Sequence, residues 1–191
     1  MKIPPSTNTP AAAHYSPTLI ALHWIMFGLF IAVFASIELR VLFEKGTEPR
    51  EMMKTIHFIV GLVVLSLVLL RIASRVLTPQ PKPTPIPGGA LVNGLAQLAH
   101  IALYVVMIGM PLLGWLSLSA AGKPIPFLGF ELPALIAPDK AFSKQIKDLH
   151  ETMGVVSYWL IGLHIAAALG HHWILKDKLI ERMSLRHLHR S

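Results

Sequence analysis

The sequence predicts an all-α protein, an integral membrane four-helix transmembrane bundle with both termini cytoplasmic, and three observations carry that expectation. Apolar residues make up 53% of the 191-residue chain and charged residues only 14%, against roughly 45–50% and about 25% in ordinary globular proteins. The charges are clustered, which leaves long stretches with almost none. Four of those stretches reach the roughly 20 residues that a helix needs to cross a hydrocarbon core of about 30 Å.

The spans are expected near 18–39, 55–77, 94–120 and 149–173, within a single domain covering residues 1–191. Pro17 precedes the first span, and Lys176 and Lys178 follow the fourth. After the second come Pro79, Pro81, Pro83, Pro85, Pro87, Gly88 and Gly89; such a run cannot continue a helix and reads as an extended linker. Pro111 falls inside the third span. A bundle in lipid tolerates it, because neighbouring groups satisfy the freed carbonyl. Residues 1–17 are polar and rich in Pro and Ala, and the first apolar run continues to full spanning length. That run is therefore expected to be a retained span rather than a cleaved signal peptide. The longest connection, 121–148, with its prolines, glycines and Phe127 and Phe130, is expected to lie as a lid on the periplasmic face.

An even number of spans puts both termini on one side. That side carries Lys2, Arg71, Arg75, Lys82, Lys176, Lys178, Arg182, Arg186 and Arg190, opposed only by Asp177 and Glu181. The other side has eight basic residues balanced by eight acidic ones. The arginines beside the second span and in the tail form the tightest basic clusters near membrane ends, which places the termini in the cytoplasm. The net charge of +7 is explained by this topology, so no nucleic-acid partner is implied. The absence of cysteine excludes disulfides, thiolate metal sites and covalent attachment of a c-type haem.

Ten histidines are the informative excess. An ionisable side chain within a span is costly and marks a candidate functional site. His23 lies five residues inside the first span and His164 nine residues before the cytoplasmic end of the fourth, which differ by about 6 Å in depth at 1.5 Å per residue. His57 and His150 both lie at the periplasmic beginnings of their spans. The four thus form two levels, each with histidines from two helices. His150 and His164 are fourteen residues apart on one helix, nearly four turns, so both face one side about 21 Å apart. That spacing suits two stacked b-type haems, bound non-covalently, because imidazole is a natural axial ligand for haem iron and bundle cores hold such groups. Gly61 and Gly154, each four residues after a histidine, leave room on the same face for a flat macrocycle. The bland reading of any one of these histidines is a hydrogen bond at the headgroup level; the matched depths of four argue against it.

His100 lies level with His23 and His164. It is a candidate to hydrogen-bond a haem propionate, line a quinone pocket or bridge helices, with a supporting role favoured over ligation. His171, seven residues after His164, lies on the same face about 10 Å further on. It is placed to hydrogen-bond and protonate a quinone carbonyl, or to be an interfacial histidine.

The segments ALHW at 21–24, IHFIVG at 56–61, GLAQLAHIALY at 94–104 and LHETMGVVSYWLIGLHIAAALGHH at 149–172 together resemble the prokaryotic cytochrome b561 family over nearly the whole chain. The resemblance implies two b-type haems held by His23, His57, His150 and His164 as iron ligands, with His57 paired to His150 and His23 to His164. It also implies a bacterial inner-membrane oxidoreductase. Some members of that family are superoxide oxidases, which take electrons from superoxide and reduce ubiquinone, and the similarity makes this the first expected activity. A basic residue after the second span and the counterpart of His171 are implicated at the quinone end; Lys82 is the lysine available in that loop. Where relatives often carry a further histidine one turn before His100, this chain has Gln97. Two other readings stay open. One is an electron-carrier subunit of a hydrogenase or other respiratory dehydrogenase, docked to a redox partner. The other is a haem-free transporter or metal-binding membrane protein using the same histidines.

Overall fold

The computed structural model describes residues 15–78, 89–176 and 180–184. Four long helices dominate it: α1 (Pro17–Leu39), α2 (Glu48–Leu77), α3 (Gly89–Ala120) and α4 (Lys140–Gly170). All four are long and apolar enough to cross a membrane. Local chemistry sets their ends. Ser16 caps α1, its hydroxyl accepting from the Leu19 amide, and Pro17 occupies the first turn, where its missing N–H costs nothing. Asp139 caps α4 by accepting from the amides of Ala141 and Phe142 at 2.9 and 3.0 Å. α3 continues through Pro111, whose ring removes the donor for the Met107 carbonyl one turn earlier.

The helices are longer than the apolar runs. α2 starts at Glu48 rather than near 55, α3 at Gly89 rather than 94, and α4 at Lys140 rather than 149. Hydropathy detects only the lipid-facing part of a helix, whereas the backbone ladder propagates until a cap stops it. The extra turns of α2 and α4 are polar and take part in surface ion pairs, Lys54–Glu51 and Lys147–Glu151, whereas those of α3 are uncharged. The expected 121–148 lid is correspondingly shortened, since its last nine residues belong to α4. What remains holds a two-stranded antiparallel hairpin, β1 (Pro126–Phe127) and β2 (Phe130–Glu131). Hydrogen bonds pin this segment to the end of α3: Trp115 Nε1 donates to the Pro133 carbonyl, the Leu135 amide to Ser119 Oγ, and the Asp139 amide to the Ala120 carbonyl. Its apolar side forms a groove with Ile59 of α2.

α1 packs along α2, α3 along α4, and α2 meets α3. Met26 of α1 with Val64 and Val68 of α2 form the best-buried cluster, extended by Phe30 and by Tyr104 and Met107 of α3. α4 packs mainly on α3, and Ser157 is its one fully buried residue among those described. Trp159 and Leu163 are 78% and 68% exposed; apolar side chains that open on a spanning helix have lipid as their solvent. α4 reaches across to α1 through Tyr158, whose ring lies 4.3 Å from that of Phe34 and whose hydroxyl meets Glu38. Beyond α4, a single π-helical turn runs from His171 to Leu175 and ends at Lys176 in the left-handed conformation. A short 3-10 turn, Glu181–Met183, returns to α1, where Trp24 Nε1 donates to the Met183 carbonyl at 2.7 Å.

Candidate functional site

The histidines gather at two levels. Toward the hairpin end, His57 of α2 faces His150 of α4 with ring centroids 6.1 Å apart and planes at 80°. Toward the end where α1 begins and α4 stops, His100 of α3 faces His164 of α4 at 5.5 Å and 74°. His23 of α1 stands within electrostatic reach of both His100 and His164, and of Arg71. The upper level therefore holds a pair and the lower level a cluster of three. Depth arithmetic identifies all five residues. The His100 ring is closely placed against that of His164; the helix phase between α3 and α4 that achieves this is a packing outcome.

Each ring is positioned by its surroundings. His57 Nδ1 lies 3.1 Å from the carbonyl oxygen of Val33 in α1. A carbonyl can only accept, so Nδ1 carries the proton and Nε2 presents a lone pair. His150 packs against Gly114 of α3, where a Cβ would lie 3.6 Å from Cε1 of the imidazole. Its Nδ1 is buried and makes no hydrogen bond of good geometry, although the Met110 carbonyl is close enough to interact. The carbonyl of Ala96, one turn back in its own helix, is close enough to interact with His100. At the same level Arg71 Nη1 donates to the Leu19 carbonyl at 2.6 Å, which ties α2 to the beginning of α1. Arg71 and Arg75 both act electrostatically on His100. In the sequence these two arginines speak to topology alone. Their four-residue spacing at the end of an apolar span is the available signal that they share a helix face.

His171 opens the π turn after α4 and is half-buried. Lys82, the other expected contributor at the quinone end, lies outside the described residues.

These residues suit an iron porphyrin. Imidazole–metal bonds of about 2 Å place two imidazoles on opposite sides of one metal roughly 6 Å apart, the separation seen between His57 and His150. The Nδ1–H to carbonyl bond of His57 is the arrangement that fixes a ligating imidazole and raises its basicity. A Cβ added at Gly61, one turn from His57, would meet no atom within 4 Å, so the face beside that ring is open. Two buried side-chain nitrogens lack a partner among the described residues, His150 Nδ1 and Arg40 Nε, and both belong to the upper level. The set contains only imidazole as a metal donor, which is suited to iron held in a macrocycle that supplies the other four ligands.

Comparison with known proteins agrees. A family profile described as Prokaryotic cytochrome b561 matches residues 14–184. The chain is 36% identical to "Cytochrome b561 homolog 1" of Escherichia coli (strain K12) over 173 residues, covering 90% of this chain and 97% of the relative. It is 34% identical to "Probable superoxide oxidase CybB" of Yersinia pestis over 169 residues, covering 88% and 94%. It is 29% identical to "Cytochrome b561 homolog 2" of Escherichia coli (strain K12) over 185 residues, covering 93% of each. Four apolar helices, histidines brought together inside them and a match that spans nearly the full length converge on one assignment: the chain belongs to the prokaryotic cytochrome b561 family, b-type haem proteins of bacterial membranes that transfer electrons.

Proposed function

We propose that this chain is a di-haem superoxide oxidase of the bacterial inner membrane, passing electrons from superoxide to ubiquinone with both termini in the cytoplasm. The observation that supports it best is the presence of two imidazole levels joined by one helix. His150 and His164 are fourteen residues apart on α4, about 21 Å along its axis. His57 stands beside the first, and His100 and His23 beside the second. The "Probable superoxide oxidase" relative supports the choice of reductant.

His57 and His150 would hold one haem through their imidazoles, and His23 and His164 the other. The haems, when bound, supply reversible one-electron carriers at two depths in the bilayer. The protein's own part is positioning and proton handling. Val33 orients His57, Gly114 admits His150, and His100 steadies the lower cluster from α3. Two superoxide anions each give up one electron and leave as dioxygen. One ubiquinone takes both electrons and two protons and leaves as ubiquinol. His171, at the exit of α4, hydrogen-bonds a quinone carbonyl and delivers a proton to that oxygen. Lys82 is the proposed basic partner there, and His100 the third candidate lining residue. Arg71, Arg75 and the basic tail mark this end as cytoplasmic.

Purified protein mixed with a superoxide source and a soluble ubiquinone analogue is expected to form ubiquinol at two superoxide per quinone. Haem-depleted protein should be inactive. Haem-replete protein that leaves the quinone oxidised would defeat the activity while preserving the cytochrome. Recovery of a stable complex with an iron–sulfur or molybdenum protein would then favour the electron-carrier reading.

A further inference from the structure

Arg40 follows α1 in a short 3-10 turn, Arg40–Leu42, and its Nε is buried without a hydrogen-bond partner. Such a nitrogen is costly to leave unpaired, and a guanidinium in low dielectric needs an anion more than a surface one does. Among the described residues no acid is ion-paired with Arg40. The two ion pairs among the described residues are Lys54–Glu51 and Lys147–Glu151. The acid nearest in sequence, Glu38, accepts from the Tyr158 hydroxyl instead. The turn bearing Arg40 is nevertheless held in place. Arg50 Nη1 donates to the carbonyls of both Arg40 and Phe43, at 3.2 and 2.7 Å. From there Arg40 acts electrostatically on His57.

We infer that Arg40 is a carboxylate-binding residue for the group held by His57 and His150, pairing with a haem propionate at that level. This rests on the proposed haem ligation by His57 and His150. The chemistry follows from the planar fork of guanidinium donors, which matches a carboxylate, and from the missing counter-charge beside an imidazole that would carry iron. A propionate reaching the hairpin end answers both needs. Arg40 is then a binding and potential-setting residue, since a fixed positive charge close to the macrocycle favours its reduced form.

The test uses the full-length protein, purified in detergent, and reads haem content and midpoint potentials. Arg40→Leu is expected to keep the lower haem unchanged. The upper haem should become harder to reduce by about tenfold in equilibrium, a fall of about 59 mV for one electron. Arg40→Lys, which keeps the charge without the fork, should fall between. Arg40→Leu should also release the upper haem more readily than wild type, whereas with haem dimethyl ester, whose propionates are blocked, the three proteins should release it alike. An equal difference in release with acid and ester overturns the proposal, because Arg40 would then act without a carboxylate, through packing or through another anion such as a lipid phosphate. Unchanged potential and content in Arg40→Leu overturns it as well. Failure of the ligation reading is separately visible: His57→Ala would then retain both haems.

Discussion

His57 Nδ1 lies 3.1 Å from the Val33 carbonyl, and this one contact couples the tautomer of a histidine on α2 to the backbone of α1. It leaves the lone pair of Nε2 free for a metal, on a ring whose centroid lies 6.1 Å from that of His150. If the two levels each hold a haem, removing one histidine from each should separate them. His57→Ala and His23→Ala are each expected to lose one haem per chain, from different levels. Reduced-minus-oxidised spectra with haem counting check this. Two variants that both keep two haems would break the ligand scheme.

Gly114 and His150 give a graded test of the upper level. A Cβ at position 114 stands 3.6 Å from the imidazole, an ordinary contact. Gly114→Ala should therefore keep wild-type haem content. Gly114→Leu must push the ring aside, and is expected to lose the upper haem while the lower remains. Equal haem content in both variants, read by the same counting, contradicts the close approach.

The Tyr158–Glu38 hydrogen bond, 2.8 Å long, joins α4 to α1. Both side chains lean toward the N-termini of their helices, as helical side chains do, and in antiparallel helices this brings them together. Such bonds between membrane helices contribute about 0.6–1 kcal/mol. A double-mutant cycle with Tyr158→Phe and Glu38→Ala, read by denaturant unfolding in detergent, should return a coupling energy of that order. A coupling near zero would show that the pair carries no stability.

Trp24 holds the returning C-terminal turn through its bond to the Met183 carbonyl. Trp24→Phe keeps the ring's bulk and removes the donor. Loss of one hydrogen bond of about 1 kcal/mol lowers protection of the segment roughly fivefold. Hydrogen exchange at residues 180–184 is the measurement, and unchanged protection would mean that the turn is held by other contacts.

Much of this protein is written in its sequence because lipid imposes a simple code. A helix that crosses a membrane must be apolar for about 20 residues, so all four spans are legible from composition. Histidines in such runs are conspicuous, so His23, His57, His100, His150 and His164 stand out. Depth along a helix is a matter of counting, which explains why the two levels follow from residue numbers alone.

Helix ends, facing and partner choice were decided by the fold. The true starts of α2 and α4 lie in polar turns that hydropathy cannot see, and Asp139 rather than any change in apolarity begins α4. Counting gives the height of a side chain but not its azimuth relative to a neighbouring helix. That His100 rather than His23 lies against the His164 ring, that Val33 meets His57, that Gly114 makes room for His150 and that Arg40 Nε has no partner among the described residues all depend on how helices rotate and cross. Those contacts join residues far apart in sequence, and they are set by packing rather than by local periodicity.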